Sequence, residues 1–288
     1  MPSRPGGIID LAVQELLYFT ARWLPLRLVY LAMDFYARLK FLLGGYAEYM
    51  RNVLYFFPGL SDDAARHLAR GLLISQYKFS VDFLFCGRLP EKKLAVMSIP
   101  EGLDKLDKGL SLGHGVILFS MHSENVPVSF YLAGRGYPIN VSIWGRTASI
   151  TKHVYGNHCS TVSSFEEMKQ CLNRNEVLEI LIDGMQGKHP IEVNFLGKKV
   201  LFSPGIVLLA KETGAKVYPV VAWRQKDGKI RFSVHRNIDL DHLNLENSDG
   251  VREEMQKCVD FFEPYVVENP AGYFYVFRIE RKIKYFSN

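Results

Sequence analysis

Four short apolar runs, at 116–121, 138–143, 178–182 and 217–223, alternate with helix-period patterns at about 126–135, 164–174 and 204–213. This alternation constrains the fold more than any other feature. Strands that take turns with helices form βαβ units, and such units assemble into a mainly parallel central sheet flanked by helices, an α/β fold. The segment 229–235, after the turn Lys226-Asp227-Gly228, is expected to add an edge strand. A helix from about Asp249 to Val267 follows, stopped by Asn269-Pro270.

Ligands of such sheets bind beyond the carboxyl ends of the strands, so the residues that each run delivers there are the candidates for chemistry. The first run ends on His122, with Glu124 two residues on. An imidazole oriented by a carboxylate can take a proton from an attacking hydroxyl. Position alone favours a plainer reading, because strand-end histidines are more often structural and Glu124 also suits the first turn of a helix starting near Ser123. The third run ends on Asp183, then Gly184-Met185-Gln186-Gly187, where glycines let the backbone approach a ligand. Asp-Gly is also common in turns. Further on, Ser203 reads as an N-cap with Pro204 as first helical residue, and a helix start beside Lys198 and Lys199 can hold an anionic group.

The first 110 residues read as helical and carry many of the aromatic residues. Ile8, Ile9, Ala12, Leu16, Phe19 and Trp23 fall at helical spacing, and the stretch 26–57 interleaves Tyr30, Phe35, Tyr36, Phe41 and Tyr46 with Arg27, Arg38 and Lys40. Such helices can lie in a membrane interface or pack on the core of their own domain. Asp10, Glu15, Arg22, Pro25 and Arg27 interrupt the apolar residues of 8–33, leaving no run near the roughly 20 residues of a bilayer crossing. A helix over about 61–84 opens at Ser61-Asp62-Asp63. The organisation expected is therefore a helical, membrane-associating region over 1–110 packed on an α/β core over 111–288.

A formal net charge of +5 mildly favours anionic partners, and nothing matches a nucleic-acid module. Cys86, Cys159, Cys171 and Cys258 lie far apart without CxxC spacing, so neither a metal site nor a disulfide framework is expected. The sequence has no Gly-x-Ser-x-Gly elbow, Walker A loop, GxGxxG fingerprint or HExxH helix.

Several blocks together resemble the bacterial lipid A late (lauroyl/myristoyl) acyltransferases, a branch of the glycerolipid and lysophospholipid acyltransferases. They are Arg51-Asn52-Val53-Leu54 with Phe57-Pro58, Gly115 to His122, Asp183-Gly184-Met185-Gln186-Gly187, Val193-Asn194-Phe195-Leu196-Gly197, Pro204-Gly205, Thr213-Gly214-Ala215, Pro219 and Tyr273 to Arg278. The resemblance implies a glycerolipid-acyltransferase-like fold and a peripheral or monotopic enzyme on the cytoplasmic face of the inner membrane. It would move a fatty acyl group from acyl carrier protein or acyl-CoA to an acceptor hydroxyl or amine, without cofactor or metal. In that family the histidine opens an HxxxxD/E motif; here the sixth position is Pro127. The expected site is His122 as general base, Glu124 as substitute orienting acid with Glu166 as the other candidate, and Arg146, Asp183, Gly184, Gln186 and Gly187 around the substrate. The alternative is a non-catalytic lipid- or carrier-protein-binding relative that has lost the orienting acid.

Overall fold

The structure, a computed structural model, describes residues 24–44, 46–143, 152, 154–156, 158–184, 189–240, 248–275 and 277. At its centre β2 (Val116–Ser120) is buried along its whole length, which its continuous apolar run dictates. Ile117 and Phe119 enter one core and Val116 and Leu118 the other, so the strand separates two hydrophobic layers.

Beside β2 lie β5 (Val177–Leu181) on one flank and β8 (Lys216–Arg224) on the other, both parallel to it. Outside β5 come β3 (Ile139–Ser142) and β4 (Ser160–Val162), again parallel. Outside β8 the direction reverses: β9 (Ile230–Val234) returns antiparallel through the Asp227-Gly228 turn, and β1 (Ser98–Glu101) runs parallel to β9 as the edge. The order β1-β9-β8-β2-β5-β3-β4 is thus a mainly parallel seven-stranded sheet, as the alternating pattern requires. Three details differ from the sequence reading, the first being β4 at 160–162, where no strand was expected. A strand at 98–101 interrupts the helical first 110 residues, and this strand, not 229–235, forms the edge. With four residues and a proline, β1 carries too little periodicity to announce itself.

Helices cover both faces. On the side of Ile117 and Phe119 sit α1 (Leu26–Leu42), α2 (Ala47–Phe56) and α3 (Asp62–Cys86), where Ser61 caps α3 as expected. With them are α7 (Phe165–Asn173), α8 (Gly205–Thr213), α9 (Ser248–Asp260) and α10 (Glu263–Glu268). The opposite layer holds α4 (Glu91–Met97), α5 (Leu103–Leu110) and α6 (Val126–Gly134). The helix expected over 249–267 is broken between Asp260 and Glu263. Residue Ser203 does not cap α8: Pro204 occupies the N-cap position and the helix begins at Gly205. Preceding it, β6 (Ile191–Phe195) and β7 (Lys198–Phe202) form a hairpin whose Leu196-Gly197 turn has positive φ at both residues, 51° and 71°, the twist that matches a two-residue hairpin. Phe195 and Phe202 from this hairpin are fully buried, and Phe195 meets Phe56 of α2.

One side of α1 packs inward through Val29, Met33 and Ala37. The other presents Leu28, Leu31, Phe35, Leu39 and Leu42, three or four residues apart, with Phe35 68% and Leu42 80% exposed. No helix among the described residues is long and apolar enough to cross a membrane. The apolar residues expected at helical spacing from Ile8 to Trp23 lie outside the described residues.

Candidate active site

The carboxyl ends of β2 and β5 bring together two residues 61 positions apart. Beyond Ser120 the ladder continues for one more bond, from Ile182 N–H to the Ser120 carbonyl at 2.9 Å, so the chain after each strand still runs alongside the other. His122 and Asp183 therefore meet. The Nδ1 of His122 lies 2.7 Å from Oδ1 of Asp183, and the His122 main-chain N–H donates to both carboxylate oxygens at 3.1 and 3.0 Å. A carboxylate as buried as that of Asp183, 0% exposed, is tolerable only when hydrogen-bonded in this way. With Nδ1–H donated to Asp183, the lone pair of the neutral ring sits on Nε2. The imidazole keeps 17% of its surface open.

Aromatic side chains surround the rest of the ring. Tyr275 stacks on it with centroids 4.1 Å apart and planes 23° from parallel, while Phe79 of α3 and Phe274 approach at 5.8 and 6.5 Å.

Glu124, expected to orient His122, turns the other way. Its Oε2 accepts the Arg224 main-chain N–H at 2.5 Å and its Oε1 accepts Nε at 3.0 Å. The reason is topological: β8 is the second neighbour of β2, and Arg224 is its last residue, so the loop after His122 finds an arginine across that ladder before it can fold back on the ring. Arg224 also pairs with Asp82 of α3, which accepts a hydrogen bond from the Tyr30 hydroxyl of α1, and the guanidinium lies 5.3 Å from the Tyr30 ring centroid. Burial pushes Asp82 up to about 6, and Arg224 opposes that shift. Neither Asp82 nor Arg224 figured in the sequence reading, and Tyr30 entered it only as one of the aromatic residues of 26–57. The available signal was an aspartate inside the otherwise apolar 81–86 and an arginine closing an apolar run.

The helix after His122 starts at Val126 with Asn125 as N-cap, three residues later than a start at Ser123, so Glu124 stands outside its first turn. Pro127, where the related motif has an acid, occupies the first turn, a position where a missing N–H costs nothing. Beneath this turn Glu179 of β5 is buried, accepting from the Ser129 hydroxyl and, at 3.5 Å, from Asn125 Nδ2. Burial raises Glu179 to about 7 against the pull of these two bonds. Its folded value thus exceeds that of the unfolded chain, so between pH ~4.5 and ~7 the folded protein holds the extra proton and stability falls as pH rises through that window. Accordingly, Glu179→Gln is expected to raise the melting temperature at pH 8 more than at pH 5; an equal change at both would remove this assignment.

Of the other expected site residues, Gly184 follows Asp183 and is buried. Arg146, Gln186 and Gly187 lie outside the described residues. Glu166 is exposed in the first turn of α7, where the Gln170 amide donates to it at 3.4 Å. All four cysteines are free and buried, and no cluster of metal-binding side chains occurs among the described residues.

Comparison with known proteins adds the family. Among solved structures, the chain is similar to the 1-acyl-sn-glycerophosphate (LPA) acyltransferase PlsC from Thermotoga maritima, with 16% identity, 84% of this chain and 97% of that one covered, and a TM-score of 0.42. No curated protein matches. The sequence profile of the bacterial lipid A biosynthesis acyltransferases matches residues 11–281, nearly the whole length. The chain, with its strand-end histidine on a mainly parallel sheet, belongs to the bacterial lipid A biosynthesis acyltransferase family.

Proposed function

We propose that this acyltransferase moves a fatty acyl group from a thioester donor, acyl carrier protein or acyl-CoA, to an acceptor hydroxyl or amine, with His122 as general base and Asp183 as the acid that orients it. The observation that carries this reading is the 2.7 Å contact between His122 Nδ1 and Asp183 at the carboxyl ends of adjacent parallel strands. Nε2 takes the proton of the acceptor as its oxygen or nitrogen attacks the thioester carbonyl. The tetrahedral intermediate collapses, the carbon–sulfur bond breaks, and the imidazolium returns its proton to the departing thiolate. Asp183 keeps the proton on Nδ1 at the start and compensates the imidazolium during transfer. Main-chain N–H groups beyond the strand ends are assigned to the developing oxyanion. Arg146, Gly184, Gln186 and Gly187 are assigned to substrate contact, and no metal or cofactor enters the scheme.

The exposed apolar side of α1 is the proposed docking surface on the cytoplasmic leaflet. A lipid bilayer suits it because the leucines and Phe35 recur at helical spacing along the helix, with Arg27 exposed beside them to meet anionic headgroups. Assays with labelled acyl donors against a panel of lysolipid, sugar and amine acceptors test the whole reading. Product should disappear with His122→Ala while flotation with anionic vesicles persists, and Leu31→Glu/Phe35→Glu should weaken flotation instead. Normal acyl transfer by the His122→Ala protein would overturn the mechanism.

A further inference from the structure

A hydrogen bond to Nδ1 holds an imidazole by one nitrogen, and because hydrogen bonds bend easily it resists tilting of the ring out of its plane only weakly. His122 has this arrangement on its Asp183 side: both carboxylate oxygens take up the His122 main-chain N–H, and one also holds Nδ1. Every one of these contacts lies at one edge of the residue. The direction of Nε2, on which proton transfer depends, needs a second constraint perpendicular to the first.

Tyr275 stands where that constraint is needed. Its ring covers one face of the imidazole at 4.1 Å and 23°, a geometry that a tilt of the imidazole would break. The tyrosine is itself carried on a fixed platform. Immediately before it, Tyr273 and Phe274 are buried, and the 3-10 turn Pro270–Gly272 presses on α3 so closely that a Cβ on Gly71 would stand 3.0 Å from that of Ala271. Tyr275 is only half-buried, so filling the core is not its main contribution. A π face against the ring also favours the imidazolium that forms when Nε2 accepts a proton.

We propose that Tyr275 is a positioning residue for His122, its stacked ring resisting the out-of-plane tilt that the Asp183 hydrogen bonds restrain least. This rests on the assignment of His122 as general base. The tyrosine thus performs in the last part of the chain a task that sequence position alone would not suggest, and the aromatic ring rather than the hydroxyl performs it.

The experiment compares Tyr275→Phe, Tyr275→Trp and Tyr275→Leu in the full chain, by steady-state acyl transfer and by NMR of histidine-labelled protein, with the His122 signal assigned through its loss in His122→Ala. In the wild type the His122 Cε1–H resonance should be shifted upfield by the ring current of Tyr275. Tyr275→Phe should keep both the shift and the rate. Tyr275→Leu should lose the shift and lower kcat by about 10- to 100-fold with KM little changed, as expected for a misaimed catalytic group. Should the leucine variant not fold, Tyr275→Trp and the wild-type shift carry the decision: both retain the upfield resonance if the stack exists. A leucine variant at the wild-type rate, a phenylalanine variant as slow as the leucine one, or an unshifted wild-type resonance would overturn the proposal. If His122→Ala is inactive while Tyr275→Leu is fully active, this role fails alone; if His122→Ala is active, the base assignment fails.

Discussion

Replacing Asp183 with asparagine is expected to lower acyl transfer by about 10⁴-fold, close to the effect of removing the imidazole with His122→Ala, as loss of an orienting carboxylate does in a serine-protease triad. The amide of asparagine presents a donor as readily as an acceptor to Nδ1. It therefore permits the tautomer with the proton on Nε2, the one that cannot accept a proton from the acceptor group. The loss should appear in kcat with KM nearly unchanged, because the substrate does not need Asp183 to bind. Thermal unfolding of the two variants separates chemistry from structure: Asp183 is fully buried and also holds the His122 main chain, so Asp183→Asn should lower the melting temperature more than His122→Ala. An Asp183→Asn protein with more than about a tenth of the wild-type rate would break the link between this carboxylate and an effect of triad size.

The second large effect is on stability and centres on Arg224. Removing one member of a buried ion cluster strands the others without compensation, at a cost of about 3–5 kcal/mol. Arg224→Met leaves Asp82, which is 2% exposed, and Glu124 facing each other with no cation between them. Lysine is not a substitute, since a single ammonium cannot reach Glu124 and Asp82 as Nε and the terminal nitrogen do. Adding Asp82→Asn to Arg224→Met should recover part of the loss by removing one stranded charge, and denaturant titration of the three variants measures it. Full stability in the single Arg224→Met protein would show that the cluster contributes nothing net. Activity should fall as well, because Arg224 holds Glu124 only two residues from His122.

The sheet and its principal strands were legible because their apolar runs are long and continuous. Buried parallel strands require such runs; β2 and β8 carry them, and in β5 only Glu179 interrupts. The histidine was legible for the same reason, as the polar residue at which a run stops. Its carboxylate partner was not. Sequence proximity favours Glu124, two positions away, whereas adjacency in a parallel sheet favours the residue at the end of the neighbouring strand, and no local pattern says that β5 lies beside β2. Asp183 was visible as a strand-end acid, and only the strand order gives it its neighbour. The short strands β1 and β4 lacked enough residues for a period to show, and Tyr30 and Asp82 lay in helical stretches where their neighbours masked them. Tyr275 was read as part of an aromatic block without a destination.

On the proposed assignment, holding the imidazole from the adjacent strand makes the alignment of two main chains a catalytic parameter. A slip of one residue between β2 and β5 would carry the acid about 3.3 Å along the strand and turn its side chain to the opposite face. Substitutions deep in either strand, remote from any bound lipid, can therefore detune the enzyme mechanically. The first turn of α6, relieved of supplying the acid, is free to accommodate a rigid ring such as that of Pro127.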